Sequence, residues 1–65
     1  MQVFTVQGMT CGHCAKAITR AVREHDEEAV VEIDLARKLV KVQSELPADN
    51  ILTAIRAEGY TAEPA

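Results

Sequence analysis

Cys11 and Cys14 are the only two thiols in the chain, and they stand three positions apart with His13 between them. Two thiolates at that spacing can converge on one metal ion, or they can exchange electrons as a dithiol–disulfide couple. The number of available donors bears on the choice. A closed structural zinc site takes about four ligands. Beyond the sulfurs, the chain offers His13 and His25 as nitrogen donors, and His25 reads as lying near the far end of a helix. Soft sulfurs in low number suit Cu(I), which tolerates low coordination, and the chemically similar Hg(II).

The elements that must position these thiols can be read from periodicity. Gln2–Gln7 is rich in β formers, with Phe4 and Val6 on one face, and Gly8 breaks it. From Cys14 the period changes. Cys14, Ala17, Ile18, Ala21 and Val22 recur at three and four residues and predict one apolar helical stripe, fading near Glu24–Glu28. Thr10, or a residue just after it, is the expected cap. The thiols therefore fall where a strand–loop runs into a helix N-terminus, whose positive dipole end favours thiolate. That serves metal and redox chemistry alike.

Farther on, Ala29–Leu35 alternates, with Val31, Ile33 and Leu35 facing one way. Residues 36–38 read as a turn, and Leu39–Gln43 as a strand with Val40 and Val42 inward, pairing antiparallel with its predecessor. Pro47 suits the first position of a second helix striped by Ile51, Leu52 and Ile55, and Gly59 suits its end. Residues 60–63 add a last strand before Pro64. The β-α-β-β-α-β order is that of the ferredoxin-like α+β sandwich: a four-stranded antiparallel sheet with both helices on one face. One covered face explains the alternating strands, since the other meets water.

Composition narrows the function classes. Sixty-five residues make one small domain, 1–65, which buries only about 60% of its unfolded surface. A disulfide across so short a loop as Cys11–Cys14 would stabilise it weakly. The net charge is −3, with no Trp, one Phe and one Tyr, so nucleic-acid binding is not expected. No apolar run approaches the ~20 residues of a membrane span. The N-terminus lacks the pattern of a signal peptide. With Met1 as the natural start the protein is expected in the cytoplasm, where a reducing environment favours a metal or redox role for the thiols.

The stretch Gly8-Met9-Thr10-Cys11-Gly12-His13-Cys14, after a short strand and before a small amphipathic helix, resembles the GMxCxxC motif of the heavy-metal-associated domain family. The resemblance spans nearly the whole chain, including Ala54–Tyr60 before the last strand, and is strongest to free-standing bacterial copper chaperones. It implies that Cys11 and Cys14 hold Cu(I) and pass it to the metal-binding domain of a copper-transporting P-type ATPase. It also implies that Met9 is buried support for the loop, and that Tyr60 sits beside the metal. Some relatives with His between the cysteines form multi-copper dimers, so a metal-bridged homodimer stands beside the monomer expected without metal. Mercury-binding relatives share GMTCxxC, making mercury or another soft ion the alternative cargo, and storage or sensing the alternative role. One departure is Asp26-Glu27-Glu28-Ala29-Val30, where family members carry a Gly-Val pair.

Cys11-Gly12-His13-Cys14 also resembles the active site of disulfide isomerases, which makes a thiol–disulfide oxidoreductase the rival reading. Thioredoxin-like modules, however, carry Trp before the first Cys, where Thr10 stands. They also have a longer chain and a cis-proline facing the motif, whereas Pro47 and Pro64 are read at a helix start and at the C-terminus. The chain is accordingly read as a metal carrier and not an enzyme. His13 reads first as an exposed loop residue, and in the sharper reading it tunes the site. Lys16, Arg20 and Arg23 lie off the apolar stripe and form a basic face suited to docking an acidic partner.

Overall fold

Phe4, Val6, Val40 and Val42 alternate with polar or half-exposed neighbours. In the computed structural model, which describes residues 1–10 and 12–65, all four are buried in one core. The element order is β1 (Gln2–Gln7), α1 (Gly12–His25), β2 (Val30–Asp34), β3 (Leu39–Gln43), α2 (Ala48–Ala57) and β4 (Thr61–Pro64). The strands form one sheet in the order β2-β3-β1-β4, antiparallel throughout. Ile18 and Val22 of α1, and Ile51, Leu52 and Ile55 of α2, pack on the same core as the strand residues. This is the ferredoxin-like α+β sandwich.

Register follows from burial. Phe4 lies opposite Val40, which lies opposite Ile33, and Val6 lies opposite Ala62. A slip of one residue would turn this whole set to solvent. Fully burying one such side chain is worth about 1.5–3 kcal/mol.

Several local expectations need correction. Leu35 is not on the inward face of β2. That strand ends at Asp34, whose carboxylate accepts the Arg37 N–H at 3.0 Å, so Leu35 falls in the turn and is 39% exposed. Lys38 closes the turn with φ 60. Pro47 is the cap and not the first helical residue: its ψ of 150 is extended, and helical geometry begins at Ala48. α1 begins at Gly12, two residues before Cys14 and two after Thr10. Gly59, with φ +95, follows α2 as expected.

β4 is displaced by one residue from the expected 60–63 and includes Pro64. The Ala65 N–H donates to the Val3 carbonyl at 3.0 Å. Given the β1–β4 register, Thr61 and Glu63 turn their backbone groups to β1, and Ala62 and Pro64 turn theirs to the open edge. A proline is tolerated at such a position because no ladder N–H is lost.

Candidate metal centre

β1 ends at Gln7, and Gly8 turns the chain with φ +96. Any other residue would be strained there. Its Cβ would also lie 3.4 Å from Cδ1 of Tyr60, so the glycine lets that ring close on the loop. Met9 then drops into the core cluster that also holds Phe4 and Val6, at 8% exposure. It is a packing anchor that pins the loop from beneath. Thr10 is exposed and places its hydroxyl 3.9 Å from the Cys14 sulfur.

Cys14 lies in the first turn of α1, half-buried and packed against the core. That turn carries no acidic residue, so nothing there offsets the helix end that favours anionic sulfur. Cys11 lies outside the described residues. His13 is exposed on the same turn, and Tyr60 is half-buried against both the core and Gly8. His25 is the last residue of α1, at the opposite end. Among the described residues, no three His, Cys, Asp or Glu side chains gather into a cation site.

Lys16, Arg20 and Arg23 are all exposed along α1. With Ala15, Val31 and Ile33 they line a shallow groove between that helix and the edge strand β2. The groove has an apolar floor, and its rim is mixed, with Lys16, Arg20 and Arg23 joined by Glu24 and Glu27. Arg23 also donates to the Glu27 carbonyl at 3.2 Å.

The segment that departs from the Gly-Val pattern is built around Asp26. One carboxylate oxygen accepts the Glu28 N–H at 3.0 Å, and the other accepts the Ser44 hydroxyl at 2.6 Å. Ser44, ahead of the Glu28 N–H and assisted by that of Glu45, holds the Asp26 carboxyl below its usual pKa, against the opposing effect of partial desolvation. The Ala29 N–H donates to the Asp26 carbonyl at 3.1 Å, and Ala29 is buried. The Asp26 carboxylate and carbonyl thus close this turn without a residue at positive φ.

Two features of the site end were not legible from spacing. The β2–β3 turn lies beside the end of β1, because the Val6 N–H donates to the Lys38 carbonyl at 2.9 Å. Arg56 reaches from α2 to the Ala62 carbonyl with Nε at 3.1 Å and Nη2 at 2.7 Å. The register pairing Thr5 with Leu39 could have placed the first; no sequence signal marks the second.

Sheet, helices and a cysteine at a strand–loop–helix junction define a small α+β domain architecture with a soft donor at one end. The heavy-metal-associated domain profile matches residues 3–61, and the chain belongs to that family. Over 62 residues it is 32% identical to the copper chaperone CopZ of Staphylococcus aureus (strain bovine RF122 / ET3-1), with 91% of each chain covered. The copper chaperone Atx1 from Synechocystis PCC6803, in a Cu2 form, matches with a TM-score of 0.93 at 36% identity, covering 97% of this chain and 100% of that one. The crystal structure of a gold binding protein matches with a TM-score of 0.94 at 31% identity, covering 100% of both.

Proposed function

We propose that residues 1–65 form one heavy-metal-associated domain that binds Cu(I) through Cys11 and Cys14 and delivers it to the metal-binding domain of a copper-transporting P-type ATPase. The observation that carries this reading is the placement of Cys14. It is a half-buried sulfur in an acid-free first helical turn, beside a loop anchored by Met9. Relatives named as copper chaperones support the cargo.

Transfer is ligand exchange. An incoming partner thiolate attacks the bound ion and a three-sulfur intermediate forms. One of the original Cu–S bonds then breaks, a second partner thiolate replaces the other, and each released cysteine takes up a proton or stays as thiolate. No electron moves, so the protein acts as a carrier and not as an enzyme. Low coordination leaves room for the third sulfur. The groove rimmed by Lys16, Arg20 and Arg23 steers an acidic partner surface toward the loop. Tyr60 shields the site from one side, and His13, exposed beside it, is the residue that would bridge or tune a metal-linked dimer. The domain works in the cytoplasm, as a monomer before metal arrives. The structure has no helix long and apolar enough to cross a membrane among its described residues. Binding of another soft ion is the second reading, favoured by the gold-binding relative.

Titration with Cu(I) under anaerobic, reducing conditions against a strong chelator tests the proposal. One ion bound tightly, and lost in Cys11→Ser and in Cys14→Ser, is the expected result. Absence of such binding together with insulin-reductase activity would overturn it in favour of dithiol chemistry.

A further inference from the structure

We propose that Arg56 is a positioning residue for the cysteine loop: its guanidinium fixes the turn that lays Tyr60 against Gly8, and so sets how readily the loop yields to an incoming thiolate. The second half of this statement rests on the chaperone reading, and the first half does not.

Only residues 58–60 connect α2 to β4. Arg56 holds this turn at both ends. Its own carbonyl accepts the Gly59 N–H at 3.0 Å. Its side chain donates two hydrogen bonds, at 3.1 and 2.7 Å, to the Ala62 carbonyl beyond the turn. That carbonyl points to the open edge of the sheet, where β1 cannot reach it. Among the described residues, no carboxylate stands within ion-pair distance of Arg56, so the guanidinium is committed to this one acceptor. Charged donors make the stronger hydrogen bonds, and the planar fork of Arg can place two N–H groups on one oxygen. Tyr60 sits within the bridged turn, with its ring over Gly8. Loosening the turn would therefore loosen one support of the ring, its packing on the core being another.

A merely structural role would have Arg56 favouring the C-terminus of α2 by its charge alone. Removing it would then lower the melting temperature and leave Tyr60 in place. The chain holds one Tyr and no Trp, so intrinsic fluorescence and the tyrosine near-UV signal report Tyr60 without labelling.

Arg56→Gln and Arg56→Lys are compared with the wild type, metal-free and reduced, by acrylamide quenching and near-UV circular dichroism. Cu(I)-loaded samples are then followed as bathocuproine disulfonate removes the ion. In Arg56→Gln, Tyr60 becomes more quenchable, its near-UV signal weakens, and copper leaves at least about two- to ten-fold faster, the factor for one ordinary hydrogen bond being a lower bound where two charged donors are lost. Arg56→Lys, with one aimed donor, recovers part of each. If Arg56→Gln does not fold, Arg56→Lys against wild type carries the same readouts. An unchanged Tyr60 signal beside a lowered melting temperature overturns the proposal. A changed Tyr60 signal with an unchanged release rate overturns its second half. Failure of the wild type to bind Cu(I) overturns the chaperone reading, while the metal-free tyrosine data still decide the positioning role.

Discussion

The two ends of α1 are held by different means. At its start, Met9 packs below the loop, Tyr60 leans on Gly8, and the Thr10 hydroxyl approaches the Cys14 sulfur only to 3.9 Å. At its finish, polar contacts link three segments. Asp26 accepts from Ser44 at 2.6 Å, Ser44 accepts from the Leu46 N–H at 3.0 Å, and the Leu46 carbonyl accepts from the Gln2 side chain at 2.9 Å. The series ties the end of α1 to the β3–α2 connection and to the first residue of β1. A hydrogen bond weakens steeply once its angle opens, so the polar series holds the finish of α1 in one geometry.

Three measurements would break or sharpen this contrast. The largest effect on stability is expected at the cysteine end. Met9→Ala empties a buried position and should cost about 2–5 kcal/mol in urea unfolding. Met9→Leu keeps the volume and should cost less than about 1.5 kcal/mol. Met9 is buried in the core; on the proposed reading, in which the thiols hold the ion, Met9→Leu should still bind Cu(I) as tightly as wild type. A loss of affinity there would make the thioether a donor and reverse the account of the loop.

At the other end, Asp26→Asn should lower the urea midpoint at pH 7, and the deficit should shrink with acid. The folded carboxyl has a lowered pKa, so its stabilisation is fully present above the unfolded value near 3.8. It is lost as the pH falls through the folded value. Midpoints of wild type and Asp26→Asn should therefore converge once the pH lies below the lowered folded value. A gap that persists there would mean that the latch does not depend on the charge.

The smallest stability change is expected from neutralising Lys16, Arg20 and Arg23 to Gln. These exposed positions should each shift stability by no more than about 0.5 kcal/mol. The association rate with an acidic partner domain should nevertheless fall and lose most of its salt dependence. An unchanged rate would separate the groove from docking.

Much of this was legible in the chain. The alternation around Phe4, Val6, Val40 and Val42 and the helical recurrence of Ile18 and Val22 each carry their own burial signal, because one face of each element must leave water. Gly59 announced a helix end, since few other residues adopt its φ cheaply. Leu35 misled because its parity continued that of Val31 and Ile33, yet Asp34 had already turned the chain. Pro47 misled by one position because its fixed φ suits both the cap and the first helical residue, and only ψ separates them. Asp26-Glu27-Glu28-Ala29 looked like a defect in the pattern. Local bonds to Asp26 make it a turn, and the hydroxyl that anchors its carboxylate, Ser44, is eighteen residues away.

Residue order by itself determined most of the elements, their inward faces and the fall of Cys14 at a helix start, because these depend on neighbours within a few positions. Only the tertiary structure decided which distant groups meet: Tyr60 over Gly8, Arg56 on the edge carbonyl of Ala62, Ser44 on Asp26, and the β2–β3 turn beside the end of β1. Periodicity assigns a side chain to a face but not to a partner. Those partners are set when the sheet register and the packing of both helices close together.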